Sequence, residues 1–84
     1  MCTYVTNTVN IRGSAKGAHG WSTVANATIY FDHPYHAAME HSLNVDFAAD
    51  GTRQVAVELS AESARALAHA ILATLDTGEA QLLQ

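Results

Sequence analysis

The spacing of apolar residues changes at Ser60, and this change constrains the fold more than any other feature of the chain. Before Ser60, apolar and polar residues alternate in short segments, which is the pattern of β-strands with one buried face. After Ser60, apolar residues recur every three or four positions, as in an amphipathic helix. Strands first and a helix last predict an α+β fold. We expect a four-stranded antiparallel meander followed by one C-terminal helix packed on one face of the sheet.

Turn residues separate the predicted strands, which we place at residues 3–12, 21–31, 40–47 and 53–59. The glycine-rich segment 13–20 predicts a loop or an irregular hairpin connection between the first two strands. Pro34 ends the second strand, because proline cannot donate to a sheet ladder. Asp50-Gly51 is a strong hairpin signal between the last two strands.

The predicted helix covers residues 61–75. Ser60 offers its N-cap, and Glu62 puts a carboxylate in its first turn, which suits the helix dipole. Gly78 is expected to end the helix, and residues 79–84 to fray or to dock on a neighbour. We interpret the whole chain, residues 1–84, as one domain with a marginal core, because a chain of this length buries a limited share of its surface.

Alternation leaves the second face of the sheet polar. This face is compatible with hydration, with a dimer surface and with the wall of a binding site. Packing of two small sheets would enlarge the thin core, so we predict a homo-oligomer, most simply a two-fold dimer. The polar face comprises Asn26, Thr28, Tyr30, Ser42, Asn44, Asp46 and Glu58. We interpret the two carboxylates of this face, Asp46 and Glu58, as solvated charges.

The charge balance argues against two classes of partner. The formal net charge is -4, and the four Lys and Arg residues are spread along the chain. Nucleic acid requires a basic footprint, and so does an anionic membrane surface, so we expect neither partner. The chain has no apolar run near the ~20 residues of a membrane span and no signal-peptide pattern, so we expect a cytoplasmic location.

Cys2 is the single cysteine, which excludes an intrachain disulfide. We interpret it as a small buried hydrophobe beside the first strand. A role as a ligand or a nucleophile is the alternative.

Three of the five histidines lie in the turn between the second and third strands, in the segment FDHPYHAAMEH. Histidine is the commonest metal ligand, so His33, His36 and His41 are candidate ligands for a divalent metal such as zinc, iron or copper. The alternative is that they cap strand ends and bind the turn backbone. His41 stands out because its parity puts it on the apolar face, where a polar group needs a partner.

The same segment also suits acid–base catalysis without a metal. In that interpretation His41 and His36 serve as the general acid and base, and Glu40 or Asp32 orients an imidazole. The glycine-rich segment would then act as a lid over the site, although an ordinary flexible loop is the simpler interpretation. The predicted substrate contacts are Lys16, His19, Trp21, Tyr30, Asn44 and Asp46.

Several motifs together resemble a family of short actinobacterial proteins of unknown function. These are MCTY at the start, KGA-x-GW, YFDHP-x-HA-x-x-EH, LN-x-DF and VAVEL-x-x-x-SARALA. The resemblance covers nearly the whole chain. The genes of such proteins often lie near clusters for specialised metabolism, so the resemblance implies a small biosynthetic enzyme or accessory protein. It identifies no catalytic residue.

Two hypotheses for function follow. The first is a small homo-oligomeric enzyme with a histidine-rich site, using a metal or acid–base catalysis. The second is a non-enzymatic module that binds a small molecule or a partner protein through the polar face. The second hypothesis predicts that Tyr30, Asn44 and Asp46 matter more than the histidines.

Overall fold

The computed structural model describes residues 5–49 and 52–83. Its elements are β1 (Val5–Gly17), β2 (Gly20–Asp32), β3 (Ser42–Ala49), β4 (Thr52–Leu59) and α1 (Ala61–Leu82). The strands form one antiparallel sheet in the order β1-β2-β3-β4, which is a meander. The predicted α+β fold class, with its antiparallel sheet and C-terminal helix, is confirmed. Cys2 and the Asp50-Gly51 turn lie outside the described residues.

The strand register creates the polar face that alternation predicts. Asn44 of β3 pairs with Tyr30 of β2 and with Glu58 of β4. Facing residues on neighbouring strands share one face of a sheet, so these three side chains lie on the same side. The Thr8 and Thr28 hydroxyls, 3.3 Å apart across β1 and β2, belong to the same face.

The β1–β2 hairpin is longer than the sequence predicts. Residues 13–17, predicted as part of a loop, continue β1, and only residues 18 and 19 connect the strands. Gly20 has φ 104°, a conformation that glycine adopts without a side-chain clash. Glycine permits extended backbone as well as turns, and the cross-strand pairing of Lys16 with Trp21 keeps this segment in the ladder.

The apolar face of the sheet is only partly covered. Val24 and Ala27 are the buried apolar residues of the described chain, each 4% exposed. Val24 is buried although alternation assigns it to the polar face. The register of β1 shifts between Asn10 and Gly13, opposite this part of β2. Such a bulge bends and twists a strand pair. The residues that line a cleft beyond it include Ile11, Val24, Phe47 and Val55.

Helix α1 begins where predicted and ends later. Ser60 Oγ accepts a hydrogen bond from the Ser63 N–H at 3.1 Å, which confirms Ser60 as the N-cap. The helix continues past Gly78 to Leu82, so residues 79–82 are helical and do not form a frayed tail. Docking of this segment on a neighbour remains a prediction. A terminating glycine takes a left-handed conformation, and among the described glycines Gly20 is the one with positive φ.

Helix α1 packs against the sheet through its first turns. Ala61, Ala64 and Arg65 line a shallow cleft with Phe31 and Leu43 of the apolar face. None of residues 61–82 is buried, and the molecule measures 50 × 29 × 21 Å. Its radius of gyration is 14.6 Å, against about 12 Å for a compact chain of this length. Within residues 5–49 and 52–83, no helix combines the length and apolar character needed to cross a membrane.

Candidate functional site

Residues 33–41, which we call the β2–β3 loop, are tied to the polar face by Glu58. The His36 and Ala37 N–H groups donate to Glu58 Oε1 at 3.1 and 2.9 Å. The Tyr35 N–H donates to the other carboxylate oxygen. Three successive N–H groups around one carboxylate form an anion-binding nest. A single side chain of β4 thereby anchors the connection between β2 and β3.

This nest favours the ionised form of Glu58. The N–H groups of Ala37 and then Tyr35 are the main causes that lower the pKa of Glu58 below its ordinary value. Burial opposes this effect, and the His36 N–H and the His36 charge reinforce it. The β2–β3 loop is therefore held most firmly when Glu58 carries its charge.

A cavity of about 660 Å³ lies between the β2–β3 loop and the polar face. This volume falls in the ~300–1,000 Å³ range of small-molecule sites. Three strands and the loop contribute to its wall, so the cavity depends on the docked position of the loop. The polar residues of its lining are Tyr30, Tyr35, His36, Asn44, Asp46, Arg53 and Glu58.

Asp46 links two neighbours in this cavity. The Tyr30 hydroxyl donates to Asp46 Oδ2 at 3.3 Å, and Arg53 Nη1 lies 3.7 Å from Asp46 Oδ1. Burial, followed by the nearby Asp46 charge, raises the pKa of Tyr30 above its ordinary value. The Arg53 side chain is mostly exposed, so solvent screens its attraction to Asp46.

Asn44 is the most deeply buried polar residue of the cavity wall, at 2% exposure. The Ser42 hydroxyl donates to Asn44 Oδ1 at 2.7 Å. Within the described chain, Asn44 Nδ2 and Asp46 Oδ1 are both buried without a hydrogen-bond partner. Leaving such a group unpaired costs about 1–3 kcal/mol. A donor and an acceptor without hydrogen bonds therefore lie two residues apart on the same face of β3, and of the two the acceptor has the Arg53 ion pair described above.

Two of the predicted histidines stabilise the turn. The His33 and His41 rings stack with centroids 4.9 Å apart, and His41 also stacks on Phe31 at 5.8 Å. His33 Nδ1–H donates to the Glu40 carbonyl at 2.9 Å, because a carbonyl oxygen can only accept. The buried Asp32 accepts from the His33 N–H at 2.7 Å. His41 thus lies beside the apolar face, as its parity predicts.

His36 lies apart from the stacked pair, in the lining of the cavity. No three His, Cys, Asp or Glu side chains in the part of the chain that the structure describes are grouped to hold a metal ion. The structure divides the predicted ligands His33, His36 and His41 into a stacked pair and a single cavity residue. Metal binding by this set remains a prediction.

The predicted substrate contacts fall into two separate groups. Trp21 stands near the start of β2 and Tyr30 near its end, separated by roughly 30 Å of extended chain. The structure brings Tyr30, Asn44 and Asp46 together in the cavity. It leaves Lys16, His19 and Trp21 at the far tip of the β1–β2 hairpin.

Sequence reasoning misses the roles of Glu58 and Arg53. It interprets Glu58 as a solvated charge, whereas the carboxylate binds the β2–β3 loop. The strand register does indicate a role for Glu58. This residue faces Asn44 near the end of β4, at the edge of the sheet where the β2–β3 loop also lies. No pattern of side chains identifies the backbone N–H groups that complete the nest.

These features define a class of small α+β protein in which a β-meander and its own connecting loop line an open cavity that contains both polar and apolar side chains. A model for a family of unknown function (DUF6295) matches residues 1–84. The chain therefore belongs to this family, which agrees with its resemblance to short proteins of unknown function. No curated protein and no solved structure matches the chain.

Proposed function

We propose that this protein is a binding module that holds a small, neutral, polar molecule in the cavity on its polar face. One observation carries this proposal: Asn44 Nδ2 and Asp46 Oδ1 are buried in the cavity wall without hydrogen-bond partners in the described chain. A ligand that offers both an acceptor and an N–H donor would satisfy these two atoms. Carboxamides, lactams and ureas have this arrangement.

The charges of the cavity disfavour an anionic ligand. Asp46 and Glu58 contribute two carboxylates, and Arg53 already contacts Asp46. The whole chain carries a net charge of -4. An anionic ligand would lose its hydration and meet carboxylates, so the cavity discriminates against anions.

Contact of a ligand with Asn44 Nδ2 and Asp46 Oδ1 requires movement of the cavity wall, because both atoms are buried. The β2–β3 loop is the element best suited to move. Its Tyr35 side chain is largely exposed, and the loop is anchored to β4 by the Glu58 carboxylate. Opening of the loop breaks the hydrogen bonds to Glu58, and the hydrogen bonds that the ligand forms with Asn44 and Asp46 offset this loss.

Acid–base catalysis by His36 is the second candidate function. Its support is that the His36 charge acts on the Glu58 carboxylate and that both residues line the cavity. The other predicted catalytic residues, His41, Glu40 and Asp32, surround the stacked turn. This candidate predicts that a His36→Asn variant loses affinity for the probe, whereas the binding module predicts the same affinity in that variant.

Calorimetric titration with three probes of equal ring size tests the proposal. Benzamide offers an acceptor beside an N–H donor, benzylamine offers only a cationic donor, and benzoate offers only an anionic acceptor. We expect benzamide to bind most tightly and benzoate not to bind. Asn44→Leu should abolish benzamide binding. Thr8→Val, on the same face but outside the cavity lining, is the matched control and should leave binding unchanged.

Equal affinity for benzamide and benzoate would contradict the proposal. So would benzamide binding that survives in Asn44→Leu.

A further inference from the structure

Helix α1 carries an apolar stripe that continues beyond the sheet. Its members are spaced alternately by four and three residues, which is the heptad spacing of a coiled coil. Ile71 and Leu75 are 51% and 52% exposed, and Leu82 is 85% exposed. The heptad stripe comprises Ala64, Ala68, Ile71, Leu75, Gly78 and Leu82.

The described chain does not cover this stripe. None of residues 61–82 is buried, and the helix meets the sheet at the cleft that Ala61 and Ala64 line with Phe31 and Leu43. Helices gain most of their stability by packing an apolar face. Gly78 makes this one weaker, since glycine is a poor helix former. The 22 residues of α1 therefore leave an apolar stripe that a partner surface could cover.

The charges beside the stripe indicate which partner. Arg65 and Glu79 are fourteen residues apart, so they occupy the same heptad position at opposite ends of the helix. Leu72 occupies that position midway between them and is also exposed. In an antiparallel pair of identical helices, equivalent flanking positions face each other. Arg65 then meets Glu79 of the partner subunit, and the two Leu72 side chains meet at the two-fold axis.

The helix termini favour the same orientation. Asp76 and Glu79 lie in the C-terminal half of α1, and its last turn has no basic residue. Acidic groups near a helix C-terminus oppose the helix dipole. An antiparallel neighbour brings its own N-terminal end and its Arg65 to this region, which compensates both charges.

We infer that a second copy of this chain covers the heptad stripe and that the two helices form an antiparallel coiled coil. Ile71 packs against Leu75 of the partner subunit, and Ala68 against Gly78 of the partner subunit, where small residues allow close approach. Ala64 faces Leu82 of the partner subunit. That leucine reaches the cleft of about 190 Å³ that includes Phe31 and Leu43. This interface is separate from the ligand cavity, which lies on the polar face.

Sedimentation equilibrium of the full chain at micromolar concentration tests the inference. The wild type should be a dimer. Ile71→Glu places a charge in the seam and should raise the dimer dissociation constant more than tenfold. Ala73→Glu adds the same charge on the opposite side of the helix and should leave the dimer intact. A monomeric wild type, or a dimer that survives Ile71→Glu, overturns the inference.

Charge exchange tests the orientation without disturbing the apolar seam. Arg65→Glu should weaken the dimer, because it places two carboxylates opposite each other. Arg65→Glu combined with Glu79→Arg should restore it, since each chain then supplies the complementary pair. Circular dichroism establishes that each variant retains its fold. A double variant as weak as Arg65→Glu alone overturns the antiparallel arrangement.

Discussion

The Ala37 N–H donates to the Glu58 carboxylate at 2.9 Å, joining residues that are 21 positions apart in the chain. This bond and its two neighbours from Tyr35 and His36 connect the β2–β3 loop to β4. The wall of the cavity consequently depends on the charge state of one side chain.

Neutralising Glu58 should loosen the β2–β3 loop. The pKa of Glu58 is lowered by folding, first through the Ala37 N–H and then through the Tyr35 N–H. A lowered folded-state pKa gives a stability contribution that is present above the ordinary value of 4.5 and is lost as the pH falls through the folded-state value. Glu58→Gln should therefore lower the melting temperature at pH 7, and the deficit should shrink as the pH falls below 4.5.

Melting curves of the wild type and the variant between neutral and acidic pH measure this difference. Glu40→Gln is the matched control, because the described contact of Glu40 uses its backbone carbonyl. A Glu58→Gln deficit that stays constant as the pH falls would argue against the nest as its source.

Tyr30 should hold its proton above the ordinary tyrosine range. Burial and the Asp46 charge raise the pKa of Tyr30 above 10.0. Since the folded state keeps this proton longer than the unfolded state, the associated stability is full below pH 10.0 and decreases as the pH rises through the folded-state pKa. The difference in phenolate absorbance between wild type and Tyr30→Phe should have its midpoint above 10.0. A midpoint at or below 10.0 means that Asp46 and burial do not act on this hydroxyl.

Replacing the buried pair Ser42 and Asn44 should abolish ligand binding without lowering the stability of the fold. Ser42→Ala combined with Asn44→Leu removes the hydroxyl–amide hydrogen bond and the unpaired Asn44 amide nitrogen together. Removing both partners of a buried pair is nearly neutral, and eliminating an unpaired donor recovers about 1 kcal/mol. We expect the free energy of unfolding in urea to equal or exceed that of wild type, while benzamide binding disappears. A loss of about 2 kcal/mol or more would show that the Ser42–Asn44 pair stabilises the fold.

Periodicity predicts much of this fold because it reflects which faces are buried. The parity of Tyr30, Asn44 and Asp46 correctly placed them together on the polar face, and Ser60 marked the start of the helix. Glycine positions were less informative. The cross-strand ladder keeps residues 13–17 in β1, and the helix continues past Gly78.

The β2–β3 loop is the part of the site that the sequence does not reveal. Its docking depends on backbone N–H groups, which every residue except proline possesses and which leave no side-chain pattern. The clustering of His33, His36 and His41 in the chain suggested one site, but a turn can direct neighbouring side chains to different places. The structure stacks His33 on His41 and puts His36 in the cavity wall.

The side-chain amide resonances of Asn44 report most directly on whether this residue meets a ligand. Comparing the nitrogen–proton spectra of wild type and Asn44→Leu identifies these two signals. During a benzamide titration they should shift in a saturable manner, with the same dissociation constant that calorimetry gives, and benzoate should leave them in place. Benzamide that fails to bind, or that binds while the Asn44 signals stay unmoved, would contradict the proposed binding site.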